Sequence, residues 1–221
     1  MVNLSFATPT QWNLVTPSVY RIMPSEYVNE FFETGRLRLS SFKQFASHAD
    51  EERGDTKEGL HVQVGVGNET TMLTATAHGS NAYILCGTCD ADDGLFVRFG
   101  SNSAIVIKNT TQFGYEISRQ LAGFSGGLEG FCIYKDGPIE TDIGGFNLES
   151  LKSDPSQSAF DLRKLGEFVR SMAGAEVFLR KRASYQHQRE YRLAWLLDSM
   201  ASDSIFVNAP SAIKFCEKRM I

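Results

Sequence analysis

The sequence has no long apolar run, no basic excess and only four cysteines. No stretch approaches the ~18–20 consecutive apolar residues of a membrane helix, so a helical membrane span is not expected. No basic residue precedes Arg21 and no apolar segment resembles a leader, so the reading expects no secretory signal and a cytoplasmic setting. Lys plus Arg total 22 against 26 Asp plus Glu, a net charge of −4. That excludes a generally basic nucleic-acid coat and leaves room for a local basic patch. Cys86-Gly-Thr-Cys89 has CxxC spacing, but Cys132 and Cys216 form no second pair, and the segment before Cys86 reads as a strand. Four free thiols are the default, and no metal site is expected. His48, His61, His78 and His187 lack metal-ligand spacing. HExxH, GxSxG, the P-loop and the dinucleotide fingerprint are all missing.

What remains is ordinary globular material. The 221 residues are 42% hydrophobic and 22% charged, enough to bury a core without staples. One domain is expected over residues 1–221, with residues 1–17 as an N-terminal arm. Val19–Met23 reads as a strand. Ser25 is a candidate N-cap for a helix carrying Tyr27, Val28, Phe31 and Phe32 on one stripe, with Gly35 as its stop. Leu37–Ser40 alternates as a strand does. A charged stretch, Asp50–Gly59, reads as a solvated loop. Leu60–Val66, Thr70–Ala77, Ala82–Cys86, Leu95–Phe99 and Ala104–Lys108 read as strands between Gly, Asn and Asp turns. Gly123–Gly130 reads as a flexible glycine-rich loop and residues 137–158 as an irregular connection. A helix from Phe160 would stripe Leu162, Leu165, Phe168, Val169 and Met172. Tyr191, Leu193 and Trp195 alternate with Arg192 and Ala194 as a strand, and Ile205–Val207 follows as another. The pattern is α+β with a mostly antiparallel sheet and flanking helices.

One constellation carries chemistry. Gln188-Arg189-Glu190 stands at the junction into the Tyr191–Trp195 strand. Strand alternation would turn Gln188 and Glu190 toward one cleft, with Arg189 and Tyr191 turned away. By composition such a Gln/Glu-x-Glu triplet arises about once in a chain of this size, so it is weak alone. Residues 161–192 also hold eight bases and four acids, with Arg180-Lys181-Arg182 just before the triplet. Such a run attracts a nucleic-acid backbone or simply solvates a helix end.

The triplet, with Tyr185 in the loop before it, resembles the catalytic corner of ADP-ribosyltransferases. Tyr20-Arg21 matches that family's first-strand arginine, and Ser40-Ser41 its early-strand serine, which steadies the catalytic Glu. The order Arg, Ser, Gln-x-Glu is the family's; the full Ser-Thr-Ser triplet is absent and the Arg-to-Ser spacing is short. Gly35-Arg36-Leu37 and Arg53 fall where the compact DarT-type, nucleic-acid-modifying toxins have similar residues. The Ser-Ser, acidic Asp-Glu-x-Arg-Gly-Asp and Glu-Tyr-Arg-Leu segments resemble a bacterial family with members tied to phage defence. The matching segments lie before residue 60 and after residue 180.

The resemblance implies an ADP-ribosyltransferase-like split sheet and a toxin that uses NAD as co-substrate. The acceptor would be RNA or single-stranded DNA, and an antitoxin protein would restrain the activity. It implies Glu190 beside the ribose, Gln188 orienting the acceptor, and Arg53 in catalysis. Tyr20, Arg21, Ser40, Ser41 and Arg53 would hold NAD. Tyr185, Arg180, Lys181 and Arg182 would meet the acceptor. A protein acceptor, a non-catalytic binding module and a zinc or thiol protein built on Cys86 and Cys89 are the competing readings.

Overall fold

The computed structural model describes residues 17–46, 59–66, 71–90, 92–137, 139–142, 148–154, 161, 163–164, 167 and 174–221. Arg53, most of the N-terminal arm, the charged stretch up to Glu58 and the Leu162–Met172 stripe lie outside them.

Strand β1 (Val19–Ile22) leads into helix α1 (Ser25–Thr34), which returns as β2 (Arg36–Ser41). Val28 and Phe31 are the buried positions of α1 and Phe32 packs partly buried beside them, but Tyr27, expected on the same stripe, is exposed. The N-cap is Pro24 rather than Ser25, and no side chain caps the helix start. Gly35 ends α1 at φ 77°, its N–H donating to the Phe31 carbonyl. A Cβ there would also lie 2.3 Å from the Pro210 nitrogen, so only glycine fits.

Helix α2 (Phe42–Ala46) follows directly. A hairpin, β3 (Leu60–Val66) and β4 (Thr71–Ala77), then forms a three-stranded sheet with β9 (Ile139–Asp142). Next come β5 (Ala82–Thr88), helix α3 (Asp93–Arg98), β6 (Ser103–Ile107), helix α4 (Thr110–Ser118) and β7 (Phe124–Phe131). Short strand β8 (Ile133–Tyr134) pairs in parallel with β10 (Arg180–Lys181). A 3₁₀ turn (Ala183–Gln188) enters β11 (Glu190–Leu197), and β12 (Ser204–Asn208) and β13 (Cys216–Met220) close the chain.

The fold class agrees with the sequence reading: α+β, with an eight-stranded antiparallel sheet and flanking helices. Three local expectations are corrected. Leu95–Phe99 is not a strand: Asp92 caps the Gly94 N–H and starts α3, whose Leu95 and Phe96 are buried. Gly123–Gly130 is not a loop: it forms β7, the strand beside β11. Residues 137–158 are not irregular throughout: Ile139–Asp142 pairs in parallel with β3 as β9, and Leu148–Leu151 forms a 3₁₀ turn.

The sheet divides around β5. Along one edge of β5, β11 pairs from Leu196↔Ala82 to Glu190↔Thr88. The other edge is shared. Strand β2, carrying β12, pairs at Ser40↔Ile84 and Ser41↔Tyr83. Strand β1, carrying β6 and β13, pairs at Tyr20↔Thr88. The two branches separate between these contacts. Gly87 lies at the point of closest approach, where a Cβ would stand 2.5 Å from Val19 Cγ1 and 3.0 Å from the Tyr20 carbonyl oxygen.

Each face of the sheet has its own core. Tyr191, Leu193 and Trp195 pack with Phe31, Phe113 and Ile117 on the α1–α4 side. Ala194 and Ile84 pack with Phe42, Val177 and Phe178 on the other. Strand β11 is therefore buried on both faces, which places Glu190 and Arg192 in the interior.

Candidate functional site

Where β1 and β2 diverge they leave a cleft of about 620 Å³. Its lining includes Tyr20, Arg21, Ser40, Lys181, Gln188 and Glu190. Residues far apart in the chain thus meet at one place. Arg21 Nη1 donates to the Cys86 carbonyl at 2.9 Å. Cys86 sits on β5 between the two branch contacts, so the guanidinium satisfies backbone that the fork exposes. The mouth carries further cations and rings: Arg36, Arg38, Tyr27, Phe99 and Phe206. Arg36 stacks 3.9 Å above the Phe206 ring and pairs with Glu30 at 2.5 Å.

Gln188 and Glu190 do converge, but not by strand alternation. Gln188 ends the 3₁₀ turn, and Arg189 at φ 42° swings the chain into β11. The two side chains meet on Lys181, whose Nζ donates to Gln188 Oε1 at 2.8 Å and Glu190 Oε2 at 2.5 Å. Arg192 Nε donates to Glu190 Oε1 at 2.5 Å, and Arg192 Nη1 donates to the Phe178 carbonyl at 2.9 Å. Lys181, Glu190 and Arg192 are 4%, 5% and 1% exposed. Burial alone would raise the Glu190 pKa, but Arg192 and Lys181 outweigh it and hold the carboxyl well below its usual range. Glu190 is thus a buried carboxylate, ionised at neutral pH, at the floor of the cleft.

Several expected roles are corrected. Arg180 and Lys181, expected as part of a solvent-facing basic patch, are buried. Lys181 is committed to the carboxylate, and Arg180 is 9% exposed, pairing with Glu176 and donating to the Asp136 and Gly137 carbonyls. Tyr185 is no stacking platform. It is 7% exposed, its ring lies 4.6 Å from Lys181 Nζ, and its hydroxyl accepts from Arg182 at 3.0 Å. Ser41 is buried, and its hydroxyl accepts from the Gln44 N–H as a cap for α2. Ser40 does line the cleft, but the groups that hold Glu190 are Lys181 and Arg192. Arg192, assigned no role by the sequence, is part of the cluster.

A second depression of about 570 Å³ lies beside the Glu190 end of β11, lined by Phe131, Tyr134, Gln186, His187 and Arg189 among others. Phe131 and Arg189 are exposed there. Cys89 also borders it, and burial, against the opposing Arg189 charge, pushes its thiol up to about 11. Such a thiol stays protonated and is a poor nucleophile or metal ligand. Among the described residues no group of three or more His, Cys, Asp or Glu could hold a metal ion. No described helix is long and apolar enough to cross a membrane. Compared with protein families, curated proteins and solved structures, the chain matches none.

Proposed function

We propose that the protein is an NAD-dependent ADP-ribosyltransferase that modifies a nucleic acid. The observation that carries the proposal is the fork cleft, with an ionised carboxylate at its floor and cations and aromatic rings along its walls. NAD needs those groups: cations for its pyrophosphate, rings for its bases, and an anion beside the ribose. In the reaction the bond from ribose C1′ to nicotinamide nitrogen breaks, and its electron pair leaves with the nicotinamide. An acceptor nitrogen or oxygen attacks C1′ and releases its proton to solvent water. Glu190 stabilises the positive charge that develops on the ribose. Gln188 orients the acceptor, and Arg21 and Tyr20 bind on the β1 side. The second depression supports a nucleic-acid acceptor, because it sets an exposed ring, Phe131, near an exposed cation, Arg189. A neutralising partner protein would accompany such an activity.

Adenylate-labelled NAD is to be incubated with cellular RNA, DNA and protein in parallel, with wild type beside Glu190→Gln. Label entering RNA or DNA, and only with wild type, supports the proposal. Label in protein moves the acceptor, and a folded wild type that never consumes NAD removes the enzyme reading. One observation favours a non-catalytic binding module: both Glu190 oxygens are already paired with buried cations. NAD binding without consumption identifies that case.

A further inference from the structure

We propose that Lys181 is the positioning residue of this site, holding Gln188 and Glu190 in catalytic register in place of the serine that the family resemblance supplies. The inference rests on the transferase reading. One ammonium reaches both residues of the triplet, at 2.8 and 2.5 Å, and so fixes the distance between them. Its own position is set by backbone. Strand β10 pairs with β8 at Lys181↔Tyr134, and the Tyr134 hydroxyl accepts the Glu190 N–H at 2.6 Å. Tyr134 therefore ties the strand bearing Lys181 to the residue that Lys181 holds. The Tyr185 ring borders the ammonium from the 3₁₀ turn. Ser41 is turned away into the α2 cap, which leaves Ser40 as the serine in the cleft.

The charged and titratable groups around Glu190 divide the work. Arg192, on the same strand, compensates the carboxylate but is also anchored to the Phe178 carbonyl. Cys132, between β7 and β8, and Tyr134, on β8, approach the carboxylate, and burial pushes both of their pKa values up, so they stay neutral. Lys181 thus contacts Gln188 and Glu190 together. Arg192 alone still neutralises Glu190, so loss of the ammonium has a defined consequence. The carboxylate titrates at higher pH and the triplet loses its register.

The test compares Lys181→Met and Lys181→Arg with wild type, reading NAD cleavage and following Glu190 by NMR of side-chain-labelled glutamate. Lys181→Met is expected to lower kcat by about tenfold or more while KM for NAD changes less than about threefold. The acid limb of its pH profile moves upward together with the Glu190 titration. Lys181→Arg, which retains the charge, restores the titration and part of kcat. If Lys181→Met folds and keeps the wild-type kcat and pH profile, the assignment is overturned while the transferase reading stands. If Lys181→Met does not fold, Lys181→Arg decides: unchanged titration with reduced kcat supports positioning, and unchanged kcat overturns it. A folded wild type that leaves NAD intact overturns the transferase reading and the assignment with it.

Discussion

Replacing Glu190 by Gln tests the energetics of the site before it tests catalysis. The change keeps the shape of the side chain and removes its charge. It leaves Lys181 and Arg192, at 4% and 1% exposure, without the anion that both contact at 2.5 Å. Breaking a buried ion pair by removing one partner costs about 3–5 kcal/mol, since the remaining charge is buried uncompensated. For a chain of this length each kcal/mol shifts Tm by roughly 2–4 °C, so Glu190→Gln melts about 6–20 °C below wild type. The half-exposed Arg36–Glu30 pair is an internal control at the same 2.5 Å separation. Solvent screens that pair, so Glu30→Gln costs less than about 1 kcal/mol. Calorimetry or near-ultraviolet circular dichroism at pH 7 reads both. The pH dependence follows from the direction of the shift. The folded pKa of Glu190 lies below its ordinary 4.5, so its stabilisation is present in full above 4.5 and disappears as pH falls through the folded value. The gap between wild type and Glu190→Gln is therefore flat from about pH 5 to 8 and closes in acid. A Tm loss no larger than that of Glu30→Gln refutes the buried-charge argument. Activity of Glu190→Gln is informative only below its own melting transition.

Glu129 has the opposite sign. It is fully buried, accepts from the Thr111 hydroxyl, and burial pushes its carboxyl above the ordinary 4.5. Its contribution is complete below 4.5 and is lost as pH rises through the folded value. Glu129→Gln should then match wild type near pH 4 and melt higher at pH 8; an equal difference at both values contradicts this. Gly87→Ala places a Cβ 2.5 Å from Val19 Cγ1, so it should cost about 1–3 kcal/mol by urea unfolding. It should also weaken NAD binding by displacing Tyr20 and Arg21, and unchanged binding would separate the fork from the ligand site. Trp195→Phe removes a buried indole whose Nε1 donates to the Gly114 carbonyl at 2.9 Å. A loss of about 1–3 kcal/mol is expected, and denaturation within 0.5 kcal/mol of wild type would show that the core there repacks freely.

The parts of this fold that were legible in the sequence are those whose pattern is local. Helix α1, its Gly35 stop and the alternation of Leu37–Ser40 each declare themselves within about a dozen residues, and each forms where expected, although Tyr27 of the α1 stripe is exposed. Strand β7 was not legible, because a run of glycines looks like a loop until its partner is known. Gly127 lies opposite Trp195 and Gly130 opposite Arg192, so the missing side chains sit across from two of the largest on β11. That complementarity spans some sixty residues of chain, and no window sees it. Helix α3 misled for another reason. Leu95, Phe96 and Val97 favour strands, but the Asp92 cap and the burial of Leu95 and Phe96 override that preference. The site follows the same division. A triplet motif names the carboxylate and its neutral companion because both lie within three residues. It says nothing of the charges that surround them, which arrive from Lys181 on β10 and from Arg192 two residues further along β11. The basic run Arg180–Arg182 illustrates the limit. Read as a linear patch it faces solvent and phosphate, but in the fold Arg180 and Lys181 point inward and Lys181 becomes the counter-ion of Glu190. A run of like charges is a surface feature only when nothing in the interior needs them, and here a buried carboxylate does.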